Sequence, residues 1–489
     1  MKKRAAIAAA AAAALFAAVA LAWFFLRPGS ERGESPQDEA VELVYYTIGD
    51  PDEDLELVNE AVNELLLERY GFTVDYRKVG WNEYENQLTA LINTHSGFDI
   101  AFAWAQNYQS NAAAGHWLDL TELLEDHAAL YDAVDERFWR GAAVGGRIYG
   151  VPTNKELATP LHFLYSAELV EKYDIDIEKY GSIASLEPLL AMIAEKEPDC
   201  IPLFFDSSHV GLLSTIGYEY AAYSDLPLVV RTADGGCEVL NAFAQEDVME
   251  LLRTLRRYYQ LGYINEDAAI RTTLSRFPDE RVFLRVASGG PDSAASYSQT
   301  FGYPIAVHQA SESIVTSEST QGGVMAVNAY TQHPQECLAF LQALNTDAEL
   351  RNLFNYGIEG VHYTLTENGQ VRAISDGYTG VEYTQGNWFI LRTREGERED
   401  KWDVYREFND AARESHLLGF IPSYEGLETE RDAVAAVYQR YSAALFTGTV
   451  DPDKYVPRLL DELAEAGIDT LREGIQQQVD SFLRSQKGE

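Results

Sequence analysis

From residue 41 onward the chain alternates between a two-residue and a 3.6-residue hydrophobic period. Val41–Thr47 (VELVYYT) is a short apolar, β-branched and aromatic run, the signature of a strand. It ends at Gly49-Asp50-Pro51, a turn and helix-start signal. Leu55, Val58, Ala61, Val62, Leu65 and Leu66 then recur at helical spacing, with Gly71 at a C-cap position. Phe72–Val79 alternates as a second strand, Trp81–Thr94 reads as a helix and Phe98–Trp104 as a third strand. This β-α-β-α-β order argues for a parallel sheet with helices on its faces. The middle of the chain continues the alternation. Leu161–Tyr165, Ile201–Phe205 and Val282–Ala287 read as strands; Ala167–Tyr173, Leu186–Lys196 and Asp247–Tyr259 read as helices. From Pro334 the chain turns mostly helical, over 334–344, 348–356, 401–414, 429–446, 452–466 and 468–483.

The first 40 residues follow a different pattern. Lys2, Lys3 and Arg4 precede an unbroken apolar run, Ala5–Leu26. As a helix it would rise about 33 Å, enough to cross a bilayer core. It is an export signal or a membrane anchor. Cleavage after Ala20-Leu21-Ala22 would leave Trp23-Phe24-Phe25-Leu26 exposed on the mature chain, so the uncleaved anchor is favoured. The positive start places everything after it outside the cytoplasm. Arg27–Glu39 (RPGSERGESPQDE) reads as a flexible tether.

Composition narrows the classes. The 489 residues carry a formal net charge of −39. A nucleic-acid binder needs a Lys/Arg excess, and so does a basic face for anionic lipid. Hydrophobic residues at 46% suffice for a core, and the length suggests two or three domains. The three cysteines, Cys200, Cys237 and Cys337, are too few for a disulfide framework. Cys200 and Cys237 could pair in an exported chain, although three separate buried thiols is the simpler reading.

A search for reactive chemistry returns little. HExxH, CxxC, GxSxG and Walker-type patterns are all missing. Asp50, Asp52 and Asp54 are spaced like the start of a calcium loop, yet Leu55 replaces the required glycine and Ala61 the closing glutamate. The acids suit a helix N-terminus instead. Ser207-Ser208-His209 has no acidic partner fixed by spacing. No metal or cofactor site emerges. Aromatic residues beside amides and carboxylates are the better lead. Trp104 ends a strand before Gln106-Asn107, Tyr218-Glu219-Tyr220 follows a glycine, and Trp388 follows Gly386-Asn387. Such pairs suit a sugar, the ring covering its C–H face and the polar groups its hydroxyls.

The ordered set of segments resembles the extracellular solute-binding proteins of ABC importers, and within them the LipO-like branch. The stretches that carry it are VELVYYTIGDPDEDLELVNEAVNELL, WNEYENQLTALINTHSGFDIAFAW, GHWLDLTELLEDHA, GGRIYGVPTNKE, ELVEKYDIDIEKYGSIASLEPLLAMIAEKEPDCIPL and HPQECLAFLQALNTDAELRNLFNYGIEGVHY. The tail adds WDVYREFNDAARESHLLGF, FTGTVDPDKY and ELAEAGIDTLREGIQQQVDSFL. The resemblance implies a two-lobed α/β binding protein of the maltose-binding-protein type with a helical C-terminal extension. It implies a monomer that captures a carbohydrate, probes no chemistry on it, and delivers it to membrane permease subunits. A surface carbohydrate-active enzyme and a sensor or peptide-binding relative are the alternatives. Lobe one is expected at 40–152 plus 287–325, and lobe two at 153–286 plus 326–489. Crossings are expected near Val151-Pro152, Val286-Ala287 and Val324–Ala326. The implied ligand residues are Asp50, Trp104, Asn107, Lys155, Glu156, Tyr218, Gly289, Tyr356 and Trp388, with Trp104 and Trp388 stacking and Asp50, Asn107 and Glu156 bonding hydroxyls. The chain departs from the branch in one respect: no cysteine precedes Cys200, so a lipobox is missing and the apolar run would serve as anchor.

Overall fold

The structure, a computed structural model, describes residues 40–95, 97–208, 211–233, 237–272 and 280–487. The apolar run 1–26, the tether 27–39 and His209 lie outside the described residues. Strand β1 (Glu42–Ile48) pairs in parallel with β2 (Thr73–Val79), Tyr45 opposite Tyr76, across helix α1 (Leu55–Arg69). Strand β3 (Ile100–Ala103) follows helix α2 (Tyr84–Thr94) and lies parallel on the other side of β1. Two strands from farther along complete this sheet in the order β2-β1-β3-β13-β4: β4 (Gly150–Pro152) and β13 (Val324–Val327). Strand β13 runs antiparallel to both its neighbours, so the sheet is mixed rather than parallel. Local β-α-β repeats dictate only the first three strands, whereas β13 returns from the other half of the molecule.

A second sheet has the order β11-β5-β10-β6: β5 (Leu161–Ser166), β6 (Ile201–Phe204), β10 (Val282–Ser288) and β11 (Ile305–Gln309). Here β5 is antiparallel to β10 and β11, and β10 is parallel to β6. A small antiparallel sheet, β7 (Tyr218–Tyr220), β8 (Leu228–Arg231) and β9 (Leu240–Asn241), lies beside it. Each large sheet has its own core. Helices α4 (Glu187–Lys196) and α5 (Glu246–Gln260) cover the second sheet. Its core extends through Val434, Leu445, Leu459, Leu471 and Val479 of the C-terminal helices α8 (Glu428–Phe446), α9 (Pro452–Glu465) and α10 (Ile468–Gln486).

The pairings revise the expected allocation of segments. Within 287–325, Ile305–Gln309 joins the second sheet and only β13, at its end, joins the first. Helices α6 (Pro334–Thr346) and α7 (Ala348–Tyr356), expected with the second lobe, pack on the first sheet. Phe340 meets Tyr45 at 5.7 Å and Phe354 meets Tyr76 at 4.9 Å between ring centroids. Nor does the chain cross near Val286-Ala287, because β10 stays paired with β5 through Ser288. The passages between sheets are 153–160, 310–323 and the stretch around 412–420. They run side by side: Ile314–Val315 (β12) pairs with Arg413–Glu414, and Ser319 Oγ donates to the Leu157 carbonyl at 2.7 Å. Local periodicity cannot report such long-range pairing.

All three cysteines are free and buried, so the optional Cys200–Cys237 disulfide is not formed. Among the described residues no helix is long and apolar enough to cross a membrane.

Candidate functional site

The C-terminal rim of the first sheet carries an aromatic platform. Asp50 follows β1 and is exposed. Trp81 follows β2 and keeps 51% of its surface exposed. Trp104 follows β3, half-buried, and stacks on Phe102 at 5.5 Å beside Tyr84 at 6.1 Å. Tyr383 joins Trp81 at 6.0 Å and Phe102 at 6.2 Å. Trp104 is the N-cap of helix α3 (Ala105–Ala113). The next residue, Ala105, sits at φ 35, in the left-handed region, and its N–H is held by the Gln321 carbonyl at 2.9 Å. Strain of this kind persists only where the surroundings enforce it, and here it sets the chain's direction directly after Trp104. Asn107, on the first turn of α3, is half-buried and accepts from Asn111 Nδ2 through its backbone and side-chain oxygens. Gly323 lets the β13 passage close on this platform, because a Cβ there would lie 2.5 Å from the Tyr383 carbonyl.

Next to the platform, where the three passages run together, is a cavity of about 430 Å3. Gln109, Lys155 and Gly322 line it from the first sheet's side, and Leu161, Gly211 and Ser288 from the second's. Hydroxyls of Ser214, Ser224, Ser311, Thr316 and Ser415 stand among its lining residues, with Tyr220, Tyr223 and Phe420. Lys155 is buried; its ammonium pairs with Glu156 Oε1 at 2.7 Å and lies 5.9 Å from the centre of the Trp388 ring. Trp388 Nε1 donates to the Glu382 carbonyl at 2.8 Å. Its ring neighbours Tyr405 at 6.1 Å, which in turn lies against Gly290 beyond β10. Lys155, Glu156 and Trp388 therefore gather together, while of the expected ligand residues only Lys155 and Tyr218 line the cavity itself. On the opposite wall Glu219 accepts from Ser415 Oγ at 2.6 Å, and burial raises its carboxyl above the ordinary range. Glu318 lines the same wall and is exposed to solvent; crowding by the surrounding protein, reinforced by Asp225, raises its carboxyl as well.

Other expected ligand residues face elsewhere. Tyr218 borders the cavity, but its hydroxyl donates to Asp247 at 2.8 Å and is pushed up to about 12, first by burial. Strand alternation sends Tyr218 inward and puts Glu219 on the other face. Tyr356 belongs to a satellite core with Tyr363, Trp402 and Tyr405, its hydroxyl on the Arg392 carbonyl at 2.6 Å. Gly289 ends β10 with its N–H on the Pro160 carbonyl at 3.0 Å. Trp81, Tyr383 and Glu318 are residues that sequence reasoning passed over, while Glu219 entered it only as the carboxylate between Tyr218 and Tyr220. Gly80 before Trp81 is the strand-end signal that would have found it. Asp52 and Asp54 bind Lys78 (2.6 Å) and His362 (3.3 Å), which leaves them engaged in side-chain pairs. Ser208 Oγ donates to Asp206 Oδ1 at 2.5 Å. Among the described residues no group of His, Cys, Asp and Glu could hold a metal ion.

Known proteins are similar to this chain in sequence and fold. A family model described as bacterial extracellular solute-binding protein matches residues 61–360, and one described as a domain of unknown function (DUF3502) matches 416–484. A carbohydrate ABC transporter substrate-binding protein of Streptococcus pneumoniae serotype 4 is 30% identical over 94% of this chain and 95% of its own. The crystal structure of the N-glycan transport solute-binding protein NgtS from Streptococcus pneumoniae is 28% identical. It covers 91% of this chain and 100% of its own, with a TM-score of 0.83. The same protein in complex with Man5GlcNAc gives a TM-score of 0.72 at 29% identity, over 91% of this chain and 99% of its own.

Proposed function

The chain belongs to the bacterial extracellular solute-binding proteins and is the non-catalytic substrate-binding component of a carbohydrate ABC transporter; from that premise we propose that it captures an N-glycan-type oligosaccharide between its two sheets. The observation that carries this reading is the cavity lined from both sheets, at the place where three passages run side by side. Parallel passages of this kind form a hinge. One lobe is built on the β2-β1-β3-β13-β4 sheet with α6 and α7, and the other on the β11-β5-β10-β6 sheet with the C-terminal helices. A ligand touching both favours the closed state by its extra contacts there.

Trp81, Trp104 and Trp388 stack on sugar rings, while Lys155, Glu156, Asp50 and Asn107 engage hydroxyls. The loaded monomer docks on the permease subunits. The apolar run 1–26 anchors it to the membrane through the tether 27–39, and the C-terminal helical block supports membership of the LipO-like branch. Calorimetry on fragment 40–489 with mannose–GlcNAc oligosaccharides, with chromatography of the recovered sugar, tests the reading. Binding without turnover is expected, with a fall in radius of gyration by X-ray scattering. Hydrolysis of the sugar, or binding of peptides alone, overturns it.

A further inference from the structure

The cavity's charge is lopsided. Its charged lining residues are Lys155, Glu219, Glu312 and Glu318. The ammonium is engaged by Glu156 at 2.7 Å, and that carboxylate lies off the lining. Glu312 is matched by Arg413 at 2.8 Å. The other two acids have no ion pair among the described residues. Glu219 has one oxygen on the neutral hydroxyl of Ser415, while its second oxygen is buried with no hydrogen-bond partner among the described residues. Arg413, the cation that reaches Glu219 electrostatically, is the one engaged by Glu312. Glu318 stands beside a further acid, Asp225, whose partner is Arg431 at 2.5 Å. Among the described residues the wall offers an incoming group two negative charges without an ion-pair partner and no positive charge that is not already paired.

Resting on the reading of this cavity as the glycan site, we infer that Glu219 and Glu318 determine its charge selectivity: it accepts neutral oligosaccharides and refuses chains that carry a carboxylate, such as uronic or sialic acid units. The physical cause is repulsion in a partly water-excluded space. A sugar carboxylate entering there gives up its hydration and finds like charge with no cation to meet it. A hydroxyl, by contrast, donates to these walls and meets hydroxyls able to bond it in return. Discrimination by an unfavourable element aimed at the wrong ligand is a recognised route to specificity. Burial leads in raising the proton affinity of both carboxyls, and Asp225 adds to it at Glu318.

The test is calorimetry near neutral pH with a matched pair: a neutral mannose–GlcNAc oligosaccharide and the same chain ending in one carboxylated sugar. For the native chain the acidic member is expected to bind about thirtyfold more weakly, or worse. In Glu219→Gln/Glu318→Gln the ratio of the two affinities should fall to about threefold, since each amide keeps shape but drops the charge. Glu318→Gln alone, on the solvent-reached side, should lower the ratio by several-fold and covers the case in which the double variant does not fold. Equal binding of both sugars by the native chain, or an unchanged ratio in Glu318→Gln, overturns the inference and leaves the glycan reading standing. If neither sugar binds the native chain, the glycan reading fails and this inference fails with it.

Discussion

Trp81→Ala separates sugar contact from folding more cleanly than any other change at the site. The indole keeps 51% of its surface open, and its aromatic neighbour, Tyr383, is 6.0 Å away. An aromatic side chain of this size carries roughly 200 Å2, so about 100 Å2 is available, and a sugar ring covers about half of that. At about 25 cal/mol per Å2 the covered face contributes about 1.3 kcal/mol, or close to tenfold in Kd. The variant should therefore bind a mannose–GlcNAc oligosaccharide about tenfold more weakly, while Tm stays within about 2 °C of the native value. Calorimetry and a thermal melt on the same preparation measure both. Trp104→Ala is the internal contrast, because that ring packs on Phe102 and Tyr84 and its loss should lower affinity and stability together. A Trp81→Ala Kd within twofold of native would refute the platform's role. So would a loss of affinity matched by a collapse in Tm.

Three further outcomes follow from the geometry. Lys155→Met leaves Glu156 charged, largely buried and without its cation, so it should cost about 3 kcal/mol in denaturant titration, most of it restored in Lys155→Met/Glu156→Gln. Glu197 accepts from Lys172, Tyr173 and Arg281, and the Lys172 hydrogen bond leads in lowering its carboxyl from 4.5 to about 2. A depressed carboxyl stabilises fully above its unfolded value and loses that contribution as pH falls through the folded one. The stability gap between native and Glu197→Gln protein should thus be constant above pH 5 and close between about 4.5 and about 2, as read by melts across that range. Gly448 follows α8 at φ +71, and a Cβ there would run into the Leu255 carbonyl. Gly448→Ala should cost at least about 2 kcal/mol, seen as a lowered Tm and reduced docking of α8 on α5 by hydrogen exchange.

What was legible in the chain was whatever a short window encodes. The Leu55–Leu66 spacing predicts a helix, and α1 spans Leu55–Arg69. The C-terminal helices appear close to their expected limits, since each presents a periodic apolar face to one core. The pattern over Trp81–Thr94 predicts a helix throughout, but the helix begins at Tyr84 and Trp81 sits in the turn after β2. Pairings such as β11 with β5 join residues about 140 positions apart and leave no local trace. At the site, strand-end logic led to Trp104 and, by the same rule, would have led to Trp81. It could not tell which face a tyrosine takes. The Tyr218 and Tyr356 hydroxyls found partners inside the protein, as buried phenols do. Glu219 is visible in the sequence as the carboxylate between two tyrosines, whereas Glu318 is one acid among many and only the shared cavity distinguishes it.

The three unpaired cysteines have a practical consequence. Cys200, Cys237 and Cys337 are all buried, and burial raises each thiol, Cys200 to about 11. Thiolate is the reactive form, so these sites are slow toward alkylating dyes near neutral pH. The native chain is thus a quiet background for site-directed labelling. Ile374 and Leu261 are each 50% exposed, one beyond α7 of the first core and the other at the end of α5 on the second. Fluorophores on Ile374→Cys/Leu261→Cys would turn sugar binding into a change in energy transfer, with no native cysteine to remove first.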